Sequence, residues 1–166
     1  EVFASNRIVY ENGGLAMFKF LKEEIDNKRN AERIAYLEKK YGITFPDILK
    51  ELYARTNGGK LKECFVPVKG DPDDTAEVWC MYELGEAKCD FEFKADHDRE
   101  EPMKKDPADW YPFSYDRGGA TFYWSSKDHK VWFVIPDDPD SLEEPDLIAD
   151  SIEAFIELLN NSVVEE

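Results

Sequence analysis

Two hydrophobic periodicities divide the chain. In the first third, apolar side chains recur at helical spacing: Phe18, Leu21 and Ile25 form one stripe, Ile34, Leu37 and Tyr41 a second, and Ile48, Leu49, Leu52 and Tyr53 a third. Asn30 stands where the second helix needs an N-cap and Gly42 where it needs a C′ residue. Pro46 suits the first turn of the third helix, and Asn57-Gly58-Gly59 ends it with residues that tolerate positive φ. Upstream, Ile8-Val9-Tyr10 reads as a short strand before the Asn12-Gly13-Gly14 break.

Beyond residue 60 the period drops to two. Leu61 to Val68, closed by Pro67, and Val78 to Leu84 read as strands; Trp110 to Tyr115, Ala120 to Trp124 and Val131 to Ile135 read as a meander. Its turns are Gly118-Gly119 and Lys127-Asp128-His129-Lys130. Three stretches rich in Asp, Glu and Pro separate the strands: Gly70 to Thr75, Lys94 to Asp109 and Pro136 to Asp146. None can supply a core, so all three are expected as surface loops. Asp150 as N-cap, with Glu153 at the capping-box position, opens a last helix whose apolar face is Ile152, Phe155, Ile156 and Leu159. Helices, then strands, then a helix predict an α+β fold: a mainly antiparallel sheet of about five or six strands, covered on one face by the N-terminal helices and the C-terminal helix. Residues 1–166 are expected to form a single domain.

Charge changes the picture. The 166 residues carry a net charge of −16, and its distribution is lopsided. Residues 1–69 hold 13 basic and 10 acidic side chains, whereas residues 70–166 hold 8 and 27. Such a surface repels nucleic acid and anionic membrane, so neither is an expected partner; its natural complement is a cationic macromolecule. No apolar run exceeds five residues, Val131 to Ile135 being one, against the roughly 20 a membrane span needs. The chain begins at Glu1 rather than Met, which leaves open whether residues precede it. Cys64, Cys80 and Cys89 are odd in number and lack CxxC spacing, which fits a reducing cytoplasm and gives neither a disulfide framework nor a zinc half-site. Cys64 and Cys80, among apolar neighbours, are expected as small core residues.

Catalytic motifs are missing. There is no G-x-S-x-G or H-E-x-x-H, and Gly59-Lys60 lacks the rest of a phosphate-binding loop. His97 and His129 fall in polar stretches. A loop begun at Asp71 fails the EF-hand test, with Ala76 at position six and Tyr82 at position twelve. No enzyme, cofactor or metal site is therefore expected.

Several separated segments resemble one family. Tyr41-Gly42-Ile43-Thr44-Phe45-Pro46, a helix containing Tyr53 and ending at Asn57-Gly58-Gly59, Ser114-Tyr115-Asp116-Arg117-Gly118-Gly119, Val131-Trp132-Phe133, and Ile148-Ala149-Asp150-Ser151-Ile152 are together similar to the SUKH superfamily, named in part for the fungal Smi/Knr regulators. The resemblance runs from Ala31 to Leu159; it departs in Phe45, where Leu is usual, and in the long acidic stretch from Lys94 to Asp109. It implies an immunity protein that binds and neutralises a cognate toxin domain, or, in the alternative, a regulatory scaffold of the Smi/Knr type. The acidic half points to a basic, nuclease-type toxin, bound by a chain that is monomeric when free. The expected contact residues are Asp71, Asp73, Asp74 and Glu77; Asp96, Asp98, Glu100 and Glu101; and Asp137, Asp138 and Asp140, with Trp79 and Trp110 as aromatic anchors.

Overall fold

The computed structural model describes residues 18–24, 28–85, 90–100 and 109–164. The Ile8-Val9-Tyr10 strand, Ile25, Cys89 and Glu101 lie outside them. Residues 18–24 form turns rather than a helix, although Phe18, Phe20 and Leu21 are buried. The first helix, α1 (Arg29–Tyr41), ends at Gly42 in the left-handed conformation, as its sequence predicts. Asn30 is not its N-cap. It sits buried inside the first turn, where Nδ2 donates to the carbonyls of Tyr53 (2.7 Å) and Thr56 (3.2 Å) and so satisfies the end of the neighbouring helix. That helix, α2 (Asp47–Arg55), begins after Pro46 and buries Ile48, Leu49, Leu52 and Tyr53.

Six strands form one antiparallel sheet: β1 (Gly59–Lys60), β4 (Cys80–Met81), β5 (Trp110–Tyr115), β6 (Thr121–Ser125), β7 (Val131–Val134) and β8 (Asp146–Ala149), adjacent in that order. The meander β5–β6–β7 matches expectation. The two strands read before it do not. Leu61 to Val68 supplies β1's neighbour residues and β2 (Phe65–Val68), which leaves the main sheet to pair with β3 (Asp71–Glu77). The acidic stretch expected as a first loop is therefore a strand. Helix α3 (Phe91–Glu100) begins before the second and runs into it, and the third contains the single-turn α4 (Pro139–Glu143) and the start of β8. The last helix, α5 (Ile152–Ser162), is capped by Ser151, whose Oγ accepts from the Ala154 amide; Asp150 stays outside and meets Lys69 at 3.2 Å.

Alternation along the meander sends aromatic rings to both faces. Tyr111, Phe113, Phe122, Trp124, Val131 and Phe133 join the main core under α1, α2 and α5. Trp110, Tyr123 and Val134 form a second cluster on the other face, packed against Trp132 and Leu142 of α4. The sheet is thus covered on both faces at its centre, not on one, and all five residues of β6 are buried. At its edges, β1 is two residues long, and β8 receives a hydrogen bond on its outer side from the Lys69 amide to the Leu147 carbonyl (2.9 Å).

Gly58 and Gly59 both adopt φ near +90°, but a Cβ on Gly58 would stand 2.8 Å from the Tyr82 carbonyl oxygen, whereas one on Gly59 would meet nothing within 4 Å. Gly59→Ala is expected to cost about 1 kcal/mol, from conformation alone, and Gly58→Ala about 3 kcal/mol or more, measured as a difference in unfolding free energy by denaturant titration.

Candidate functional site

The acidic segments meet different fates. The β2–β3 hairpin displays Asp71, Asp73 and Asp74 to solvent. In the third segment Asp137 and Asp140 are exposed, and Asp138 is half-buried, its side chain accepting from the Asp140 amide to start α4. These two segments converge beside β8, which the hairpin contacts through Lys69 and Leu147. Between α4 and β8 lies a concavity of about 420 Å³ lined by Ile135, Asp138, Asp140, Glu143, Glu144 and Asp146, among others. The Asp146 carboxyl is pushed above the ordinary aspartate range, first by burial and then by the negative charges of Asp74, Asp138 and Asp71. One carboxyl therefore feels both segments. Among the described residues no cation forms an ion pair with Asp71, Asp74, Asp137, Asp140 or Asp146, and none of the described His, Cys, Asp and Glu side chains group as a metal site would require.

Sequence reading missed Asp146, Glu143, Glu144 and Ile135. Asp146 begins a strand instead of ending a loop, and Ile135, 39% exposed, places an apolar surface among the carboxylates. The spacing of Leu147 and Ile148 after the acidic run was the available signal for β8, obscured by the helix that follows.

Carboxylates of α3, from Glu92 into the second acidic segment, are largely engaged internally. Lys40 Nζ binds Glu92 (2.6 Å) and Asp96 (2.7 Å), and these carboxylates hold the ammonium well above the ordinary lysine range. Tyr41 Oη donates to Asp96 and Tyr36 Oη to Glu92, both at 2.7 Å. Asp98 is buried: it accepts from Tyr123 Oη at 2.8 Å and pairs with Lys94 at 2.9 Å. Asp96 and Asp98 are thus engaged internally, and Glu100 is exposed. Glu77 pairs with Arg117 at 3.1 Å.

The two expected anchors lie in different surroundings. Trp110 is buried, stacked on Trp132 (ring centroids 5.5 Å apart) and against Tyr123. Trp79 is half-buried beside Tyr115 and Arg117, and it lines a different groove with Lys22, Lys60 and Lys62, whose charge is opposite to that of the acidic concavity. Cys64 and Cys80 are buried, as expected, and burial pushes the Cys64 thiol up to about 11. His97 lies on α3, stacked with the exposed Phe93; His129 holds a left-handed turn (φ 66°).

The family model SMI1 / KNR4 (SUKH-1) matches residues 30–158, a span that includes the whole acidic concavity. No curated protein matches the chain. Among the described residues no helix is long and apolar enough to cross a membrane.

Asp98→Ala leaves the buried Tyr123 hydroxyl without its acceptor and is expected to cost about 2 kcal/mol of stability, against less than about 0.5 kcal/mol for the exposed Asp73→Ala, by denaturant unfolding. Asp146 has a raised folded-state pKa, so it favours the fold at low pH and loses that advantage as pH rises through the folded value. Asp146→Asn is therefore expected to raise the thermal midpoint at pH 7, with the gain vanishing as pH falls below the ordinary aspartate range; a series of melts against pH reads this directly.

Proposed function

The chain belongs to the SMI1/KNR4 family (SUKH-1), and on that premise we propose that it is an immunity protein that binds and neutralises a cognate toxin domain of the basic, nuclease type. The observation that carries this reading is the acidic concavity, where the Asp146 carboxyl is raised by burial and by Asp74, Asp138 and Asp71, and where, among the described residues, no cation forms an ion pair with it. Holding like charges together opposes folding, and a cationic partner would relieve that cost on binding. A nuclease presents Lys and Arg where it grips phosphates, so an acidic concavity would both attract its cleft and obstruct it. Ile135 would supply apolar contact at the centre, with Asp71, Asp73, Asp74, Asp137, Asp138 and Asp140 steering from around it. Inhibition needs no turnover by this chain, and its place of action would be the cytoplasm, where the toxin's substrate lies.

Co-expression with its cognate toxin is expected to restore growth and yield a 1:1 complex. Reversing Asp71, Asp74, Asp138 and Asp140 to Lys is expected to slow association by about 10- to 100-fold at low salt while changing dissociation little, in stopped-flow measurements across ionic strength. Recovery of several unrelated cellular proteins, with no protection from the toxin, would favour the scaffold reading instead.

A further inference from the structure

The groove that Trp79 lines is assembled by backbone hydrogen bonds around residues 60–63. The Leu61 amide donates to the Trp79 carbonyl (2.9 Å), the Lys62 amide to the Phe20 carbonyl (2.8 Å) and the Val164 amide to the Glu63 carbonyl (2.9 Å). Leu61 is buried, so alternation leaves Lys60 and Lys62 outside, and the chain after Phe20 brings up Lys22. The resulting groove, of about 340 Å³, is walled by these three lysines with Trp79, Arg117 and Val164, among others. Among the described residues no carboxylate forms an ion pair with Lys22, Lys60 or Lys62. Ammonium groups gathered in one concavity repel one another, and a bound anion would relieve that repulsion.

The surroundings select the kind of anion. Arg117 donates from Nε to Glu77 at 3.1 Å and lies over the Trp79 ring, 5.8 Å from its centroid, so the guanidinium that favours phosphate is engaged by the wall itself. The lysines are point charges, which carboxylates satisfy without any two-pronged geometry. Glu63 and Glu77 also line the groove and penalise a polymer that carries a phosphate on every unit. Val164, 45% exposed, and half-buried Trp79 offer apolar surface that a bare inorganic anion leaves unused. Spaced carboxylates with apolar side chains between them match all of these features. We propose that this groove docks an acidic, partly apolar peptide segment of a partner protein, its carboxylates meeting Lys22, Lys60 and Lys62 and its apolar side chains lying against Trp79 and Val164. Strands β1 and β8 are the outermost of the six, about 24 Å apart across five strand spacings, so this groove and the acidic concavity can be occupied together. The proposal goes beyond the toxin reading by naming a second partner, of opposite charge.

The test titrates the full chain, ¹⁵N-labelled, with the acetylated and amidated peptide Glu-Leu-Glu-Leu-Glu and follows the backbone amides of Lys60, Lys62 and Trp79. The uncharged peptide Gln-Leu-Gln-Leu-Gln and a short oligouridylate serve as comparisons. The expected result is a saturable shift with the acidic peptide, weakened by added salt, with affinity falling about tenfold in the surface triple variant Lys22→Gln/Lys60→Gln/Lys62→Gln. No saturable shift, an equal response to the glutamine peptide, tighter binding of the oligouridylate, or unchanged affinity in the triple variant would overturn the proposal. Binding that arises only in Glu165→Gln/Glu166→Gln would also overturn it, by giving the groove to the carboxylates that follow Val164 in the chain. Self-association that the triple variant abolishes would do the same, by making the occupant a second copy. Because the acidic concavity is untouched, each of these failures leaves the toxin-neutralisation reading standing, and loss of protection on reversing the aspartates would not bear on this groove.

Discussion

The structure depends on removing both faces of an aromatic-rich sheet from water. Alternation along β5, β6 and β7 gives Tyr111, Phe122 and Trp124 to one side and Trp110, Tyr123 and Trp132 to the other, so helices on a single face could not complete the burial. The second face is closed by rings packing on rings, by Leu142 from α4 and by Asp98 from α3. Asp98 is a charged group inside this arrangement because Tyr123 presents a hydroxyl that needs an acceptor once buried, and Lys94 pairs with the resulting carboxylate.

That requirement sorts the acidic side chains. Carboxylates on α3 lie against α1 and the sheet, where they are recruited as partners for Lys40, Tyr36, Tyr41 and Tyr123. Asp71, Asp73 and Asp74 on β3 and Asp137 and Asp140 beside α4 lie beyond the packed layers and face solvent. Negative charge that looks uniform along residues 70–166 thus has two physical roles, and only one of them is free for recognition.

The legible parts of the sequence were those in which periodicity and burial coincide. The Ile48, Leu49, Leu52, Tyr53 stripe, the meander and the face of α5 are all buried as their spacing predicts. Strand β3 was hidden because it is held by backbone pairing with β2, and its sequence offers little beyond Ala76, which is buried, to mark an inward face. Helix α3 was hidden because its inward positions are Phe91, Ala95 and Asp98, and a carboxylate at a core position breaks the apolar pattern. Asn30 shows the same limit in another form: it sits near a helix start, where capping is the ordinary expectation, yet its partners are two carbonyls on a different helix. At the candidate site, the individual exposed aspartates could be named in advance, but their convergence on Asp146 depends on a hairpin docking that local sequence does not encode.

The edges of the main sheet carry a consequence for behaviour in concentrated solution. An unpaired strand edge is a template on which another chain can extend a ladder, and it is a common route to fibres. Here one edge is too short to offer more than a single rung or two, and the other is covered by the hairpin that carries three aspartates. The same segment that, in the proposed reading, would draw in an oppositely charged protein also turns away a second copy of its own chain, so colloidal stability and the proposed recognition share one piece of backbone.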